Sequence, residues 1–486
     1  MSAVPGGIDA DRGPPMAVPL AHFLVGFGFL LAGAALGVAS VAGLSPGLTG
    51  VAHVHLLLVG WVCVTILGAM TQFVPVWSGV ELHSRRLAVG QLVLVAVGVA
   101  GFAAALLAGR LDWLPALGGL MLAGFWTFVY NVGRTLWRAR APDVDGGTGL
   151  DVTERHFALA LGFVVLTTAL GVILALDFVR PTLSPVGLAR SQVVAAHATL
   201  AVFGIVLTTV LGALYQLATM FTQTELHGID TTLRCVETWC YPVGVVMLAG
   251  GRLAAGRPAA ERFDWAEWLA LAGGALVLVG LLSFAALLVR KLYETRVEHT
   301  PMLTRYAVVA VALPAWALAA APAWLTTWGA LADPGTAAGP ADPATTFGAG
   351  VGGVGHFLLA LVVGFVLLGT LYHVVPFVIW VQRYSDRVGL EPVPMIDDLY
   401  DDRLAVADFW LTLGGLSLVV GGELAGIESA VLVGGLAATL GFAIFAANLV
   451  GVVVRHGPES LRIEFLAGGV DAEDESRDSD HSEQFP

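Results

Sequence analysis

The sequence predicts an all-α polytopic membrane protein, and two observations support that fold class. Of the 486 residues, 57% are hydrophobic and 13% are charged, which is too little charge to cover a water-soluble fold of this size. Apolar runs of about 20 residues, the length that crosses a bilayer as a helix, recur along nearly the whole chain. The runs are continuous rather than alternating, which excludes the strands of a membrane β-barrel.

Twelve such runs predict twelve transmembrane helices. The seventh run is short and the least sharply bounded of the set. The predicted helices cover approximately residues 17–43, 50–77, 87–109, 114–138, 155–178, 190–220, 236–254, 266–290, 303–328, 347–381, 404–424 and 430–454.

Polar segments flank this membrane domain. Residues 1–15 are rich in proline and glycine and lack the basic start of a signal peptide, so we expect the first helix to be retained. Residues 456–486 are acidic and predict a disordered tail. Arginines concentrate in the connections after even-numbered helices. The positive-inside rule therefore predicts a multi-pass protein of the cell membrane with both termini in the cytoplasm.

The formal net charge of −13 does not indicate a nucleic-acid partner, because much of it lies in loops and in the tail. Lys291 is the only lysine, and the other 23 of the 24 basic residues are arginine. That bias, with acidic loops, is typical of a halophile-like composition. The expected surroundings of the chain are the lipid bilayer.

An internal repeat organises the chain. A shift of 144 positions aligns residues 53–83 with 197–227, with twelve identities in 31 positions, and a shift of 134 aligns the preceding helices. A shift of 301 gives a fainter third copy. The chain therefore predicts three four-helix units, approximately 16–140, 153–292 and 302–455, arranged around a pseudo-threefold axis.

Histidines near the starts of the second, sixth and tenth helices are the main candidate site residues. They are His53, His55, His197 and His356. Ionisable side chains in a bilayer usually face the bundle interior and serve a site, and neutral imidazole is the commonest metal ligand. Two facing helices with one histidine each form a bis-histidine haem b site. A third histidine nearby could bind copper or a second haem.

The repeat leaves the choice between His53 and His55 open. The two residues lie about 200° apart around a helix, so they cannot both face one centre. One alignment equates His53 with His197, whereas the other equates His55 with His356. The alternative interpretation is that these histidines only begin helices at the lipid–water interface.

Other residues receive structural interpretations. His22, His156 and His373 lie at the opposite membrane depth, where a second cluster is the weaker hypothesis and an interfacial role is favoured. Asp408, inside an apolar run, is interpreted as a paired or snorkelling carboxylate. Glycines along the helices are interpreted as sites of close helix packing.

Short motifs give a family resemblance along this architecture. HVHLLLVGW, FVPVWSG and a following Arg-Arg loop are similar to NnrS-type membrane proteins, and LGTLYHVVPFVIW is similar to oxidase-like proteins. Twelve helices with histidines on the second, sixth and tenth resemble the catalytic subunit of the haem–copper oxidase and nitric oxide reductase superfamily. The resemblance implies that His53 or His55 pairs with His356 on a low-spin haem, and that His197 corresponds to the first copper ligand.

The chain also departs from that family. Its seventh helix reads CVETWCYPVG instead of carrying a His-His pair, and Ala201 stands where many oxidases have tyrosine. The tenth helix has no closely spaced second histidine for an active-site haem. The full copper ligand set is therefore absent, and oxygen reduction is not the expected activity.

The expected function is that of an integral membrane protein binding haem b, with copper as a second candidate cofactor, in nitric oxide or respiratory redox metabolism. A small redox protein or nitric oxide is the expected partner. Two alternatives stay open: an active nitric oxide reductase or terminal oxidase subunit, and a transporter or assembly scaffold without cofactors.

Overall fold

The structure is a computed structural model, and throughout the ranges that it describes the chain is helical with no β-strand. Most of the predicted polar N-terminal segment, most of the acidic tail and the first residues of the predicted tenth span lie outside the described residues. The described residues are 14–139, 150–254, 265–298, 300–326 and 354–461.

Twelve long helices follow one another along the described chain. Short 3₁₀ turns occur in the connections, and the α4 helix opens on one. The helices are α1 Ala17–Val41, α2 Thr49–Ser78, α3 Arg85–Leu107, α4 Leu111–Ala139, α5 Val152–Asp177, α6 Arg190–Thr222, α7 Ile229–Ala254, α8 Trp265–Glu294, α9 Pro301–Thr326, α10 354–383, α11 Asp402–Ala425 and α12 Glu428–His456.

Eleven of these helices are long and apolar enough to cross a membrane, as expected for a polytopic α-helical membrane protein. The exception is α7, which begins earlier than the predicted 236 and includes Asp230 and Glu237. Both carboxylates are fully buried and bonded to side chains of neighbouring helices. Their pairing lets a polar stretch remain helical, because a buried charge is tolerated when it is paired.

Six of the helices form three hairpins. The α3 helix packs on α4, α7 on α8, and α11 on α12. In each hairpin a glycine permits close approach, because an added Cβ would lie only 2.5–3.0 Å from a backbone nitrogen of the partner helix. Each hairpin also packs against one further helix: α4 packs against α5, α8 against α9, and α12 against α1. The glycines are Gly98, Gly244 and Gly415.

The α2, α6 and α10 helices lie at the centre and are the most buried of the eleven. Between them is an apolar cavity with a volume of about 70 Å³. Its walls repeat: Ala69, Ala213 and Thr370 line it at positions related by the sequence shifts of 144 and 301. Thus equivalent positions of three helices face one axis.

Each central helix contains a π-helical segment in its N-terminal half. The segments are His55–Cys63, Leu200–Leu207 and Phe357–Gly364. Their last residues are related by the same shifts of 144 and 301, so the three distortions share one register. π-helical turns are rare and occur frequently at functional sites. The N-terminal halves of the central helices are therefore a candidate functional region.

Candidate functional site

His53 is held by the first helix. Its Nδ1 lies 2.8 Å from the carbonyl oxygen of Gly33. A carbonyl can only accept, so Nδ1 carries the proton and Nε2 keeps its lone pair. The ring fits closely against α1 because Gly37 lacks a side chain, and an added Cβ there would lie 2.6 Å from His53 Cε1. This arrangement leaves one nitrogen available as a ligand.

His356 lies opposite His53 at the start of α10. The two ring centroids are 6.1 Å apart, and the ring planes meet at 57°. His356 Nδ1 donates to Glu423 Oε1 on α11 at 2.6 Å. The His356 side chain is 44% exposed, so the pair is not sealed inside the helices. As in His53, the hydrogen bond uses Nδ1, and Nε2 takes no part in it.

The spacing of this pair suits two ligands of one metal atom. With metal–nitrogen bonds of roughly 2 Å and ring centres roughly 1 Å behind the nitrogens, two axial imidazoles place their centroids about 6 Å apart. The measured separation between His53 and His356 agrees with that value. Hydrogen bonds from Nδ1 to a carbonyl or carboxylate also orient metal-binding histidines. The donor set therefore fits a bis-histidine haem.

His55 faces another direction, as the predicted angle of about 200° requires. Its Nδ1 bonds the carbonyl of Val51 at 2.8 Å, and its ring lies 4.9 Å from the ring of Phe102 on α3. The prediction that His53 and His55 cannot serve one centre is confirmed. It is His53 that lies beside His356.

His197 repeats the surroundings of His53 on the sixth helix. Its Nδ1 donates to the carbonyl of Thr167 on α5 at 3.0 Å, and a Cβ added at Gly171 would lie 3.1 Å from its Cε1. His197 and His55 lie close enough for the two imidazoles to interact electrostatically. All four predicted histidines thus share one tautomer, with Nε2 unprotonated.

Glu423 is the member of this site that the sequence analysis missed. It stands in the apolar segment LVVGGELAG of α11, and a carboxylate in such a run was a usable signal. Its Oε1 accepts from His356, while its buried Oε2 has no hydrogen-bond partner among the described residues. A carboxylate partner makes an imidazole a stronger electron donor to a metal.

The C-terminal halves of the central helices hold a different kind of cluster. In the second unit, His156 Nε2 lies 3.0 Å from Glu237 Oε1, and the Tyr215 hydroxyl donates to Glu237 Oε2 at 2.8 Å. The His156 and Glu237 side chains are buried. The favoured interfacial role for His156 is therefore wrong, because the ring lies between helices and is paired there.

The third unit has an equivalent cluster with another cation. Arg305 and Tyr372 both donate to Asp408, and Asn448 donates to the Tyr372 hydroxyl. Positions 215 and 372 are related by the repeat. The interpretation of Asp408 as a paired carboxylate is confirmed. Glycine packing beside these clusters is confirmed as well, since a Cβ at Gly369 would lie 3.1 Å from Arg305 Cβ.

The first unit leaves this cluster incomplete. His22 is fully buried with Nδ1 bonded to the Val18 carbonyl, and its Nε2 has no partner among the described residues. Burial also overturns the interfacial role for His22. Thr71 stands at the position of the two tyrosines. Gln91, a buried residue of α3, likewise has no hydrogen-bond partner in the described chain for its side-chain oxygen or nitrogen.

His373 has aromatic neighbours rather than polar ones. Its ring lies 4.2 Å from Phe221 and 5.6 Å from Phe377. Together with the separate partners of His22 and His156, these contacts give no common site for the predicted second cluster. The weaker hypothesis of a second metal cluster has no support in these contacts.

Among the described residues, one group of three potential ligands brings its donor atoms within 4.8 Å, namely His227, Asp230 and Glu294. Both carboxylates already pair with Arg290 and Lys291. Two cations in contact with the acids neutralise the group, so this cluster is an ion-pair network at the ends of α7 and α8. The His53–His356 pair therefore remains the candidate functional site.

Comparison with protein-family models and with curated protein sequences finds no match to this chain, so its function is argued from the geometry of the histidines.

Proposed function

We propose that this chain is an integral membrane haem protein that carries electrons, with haem b held between His53 and His356. The observation that carries the proposal is the geometry of that pair: centroids 6.1 Å apart and each Nδ1 fixed by an acceptor. Both Nε2 lone pairs are available for the iron. When bound, the haem supplies one-electron redox chemistry.

Each part of the chain has a role in this proposal. The Gly33 carbonyl and the Glu423 carboxylate hold the two imidazoles in the ligating tautomer. Gly37 lets the His53 ring lie flat against α1. The surrounding apolar helices lower the local polarity, which influences a redox potential.

Electron transfer is favoured over catalysis for a coordination reason. A catalytic metal keeps one position open for substrate, whereas a haem held by both His53 and His356 would have no position left for one. The alternative of an active nitric oxide reductase or oxidase subunit requires a further centre with an open position. The role in nitric oxide or respiratory redox metabolism, implied by the family resemblance, stays a prediction.

The proposal includes the finer topology. Three four-helix units form twelve spans around a pseudo-threefold axis, with the histidine pairs at the outer face and both termini in the cytoplasm. The shared register of the π-helical segments and the three hairpins at corresponding places in the chain support this arrangement. The polar side chains of α7 are paired with neighbours, which supports its place as the seventh span.

The test is an absorption spectrum with iron and copper analysis of the full chain purified in detergent. We expect a Soret band and the spectrum of a six-coordinate low-spin haem b. His53→Ala and His356→Ala should each abolish that haem. His373→Ala is the matched control, since it removes a histidine from a central helix away from the pair and should leave the spectrum unchanged.

Two results would contradict the proposal. A colourless wild-type protein without stoichiometric iron would favour the transporter or scaffold alternative. A haem content that neither His53→Ala nor His356→Ala lowers in folded protein would place the iron elsewhere.

A further inference from the structure

The pair at His53 and His356 joins two different positions of the repeat. His53 corresponds to His197 in the second unit, and His356 corresponds to His55 in the first unit. The pseudo-threefold rotation that carries the third unit onto the first also carries the first onto the second. Under that rotation, the pair His53–His356 becomes the pair His197–His55.

The contacts around His197 follow the same rotation. Gly33 and Thr167 are related by the shift of 134, and their carbonyls accept from His53 and His197 respectively. Gly37 and Gly171 are related by that shift too, and each leaves room for the corresponding imidazole. The repeat therefore relates His53 to His197, and it also relates the residues that contact these two histidines.

His55 supplies the second nitrogen of the equivalent pair. Its Nδ1 proton is held by the Val51 carbonyl, so Nε2 keeps its lone pair as in the other three histidines. It lies close enough to His197 for the two imidazoles to interact electrostatically. One side of the His55 ring is covered by the ring of Phe102, which gives the site an apolar wall.

We propose that His55 and His197 form a second bis-histidine site that binds a second haem b, between α2 and α6. This inference rests on the proposed function of the first pair. The donor set is the same as in the first pair, and no third histidine, cysteine or carboxylate of the described chain completes a compact metal centre with it. The chain is therefore a two-haem protein.

The third equivalent pair provides an internal control. The rotation places Thr199 and Val354 at its two positions, and neither residue type offers a haem ligand. The pseudo-threefold scaffold consequently has two ligating pairs and one that cannot ligate.

The experiment measures the molar ratio of haem b to protein for the purified full chain, with copper analysis of the same samples. We expect two haems per chain in the wild type. His55→Ala and His197→Ala should each reduce the ratio to one and leave the other haem in place, and Thr199→Ala should leave it at two. Low-temperature electron paramagnetic resonance of the wild type should resolve two low-spin ferric signals, a result that needs no variant.

The outcomes separate the inference from the proposed function. One haem that depends on His53 and His356 alone would overturn the second site and leave the first intact. Copper lost with His55→Ala or His197→Ala, beside a single haem, would also overturn it. A protein without haem would overturn both.

Discussion

The two ends of the central helices differ in what their polar side chains do. At the N-terminal ends, four histidines use Nδ1 for orientation and keep Nε2 free. In the C-terminal halves, the polar groups of the second and third units bond to one another across helices. One end is therefore organised for binding and the other for holding helices together, and substitutions should separate the two roles.

The largest loss of stability is expected in the third unit. Asp408→Ala would leave Arg305 and Tyr372 buried without their carboxylate, and removing one partner of a buried ion pair costs about 3–5 kcal/mol. Thermal unfolding in detergent should show a large fall in midpoint temperature. Asp112→Ala, which breaks an exposed ion pair, is the control and should change little. Equal effects of the two substitutions would contradict the holding role.

A smaller loss of stability is expected when the cluster of the second unit loses its carboxylate charge but keeps an acceptor oxygen. Glu237→Gln retains an acceptor for Tyr215 but weakens the contact with His156, at a cost of about 1–3 kcal/mol. The free energy of unfolding should fall by less than for Asp408→Ala. The Soret absorbance per folded protein should not change, since this cluster lies away from the histidine pairs.

In the first unit we expect a substitution that stabilises the protein. Gln91 is fully buried and lacks hydrogen-bond partners among the described residues. Replacing it with leucine removes an unsatisfied polar group and should stabilise the protein by about 1 kcal/mol. A measured destabilisation comparable to that of Glu237→Gln would show that Gln91 does have partners in the membrane.

At the binding end, glycine substitutions should act on haem rather than on folding. Gly37→Ala would push a methyl group to 2.6 Å from the His53 ring, so the occupancy of the haem at His53 and His356 should fall severalfold. Gly28→Ala on the same helix is the matched control, because nothing lies within 4 Å of its added Cβ. Equal haem content in the two variants would contradict the close fit of His53 against α1.

The smallest expected effect concerns the redox potential. Glu423→Gln weakens electron donation to His356 and should raise the midpoint potential of one haem by on the order of 50 mV, roughly a tenfold change in equilibrium. The haem at His55 and His197 should keep its potential, because Glu423 contacts the other pair. A redox titration that shows no shift, or a shift of both haems, would exclude this role for Glu423.

Much of the fold was predictable because a bilayer requires its spanning helices to be continuous and apolar. The start of α7 was not, since its polar residues interrupt the apolar run and only their pairing with other helices explains why the segment is helical. The predicted site at the N-terminal ends of α2, α6 and α10 stays a prediction, and His53 and His356 lie beside each other there.

The pairing of the histidines was not predictable from the repeat. A repeat reports which positions are equivalent, and it does not report which positions are in contact. His53 and His356 are not equivalent under either shift, yet they are the residues that meet. Glu423 was missed for a similar reason, since its role depends on how α11 packs beside α10.

The most direct test of the central claim is anomalous diffraction at the iron edge from crystals of the full chain. We predict an iron peak between the Nε2 atoms of His53 and His356, about 2 Å from each. Crystals of folded, wild-type protein with no iron between these two nitrogens would contradict the claim.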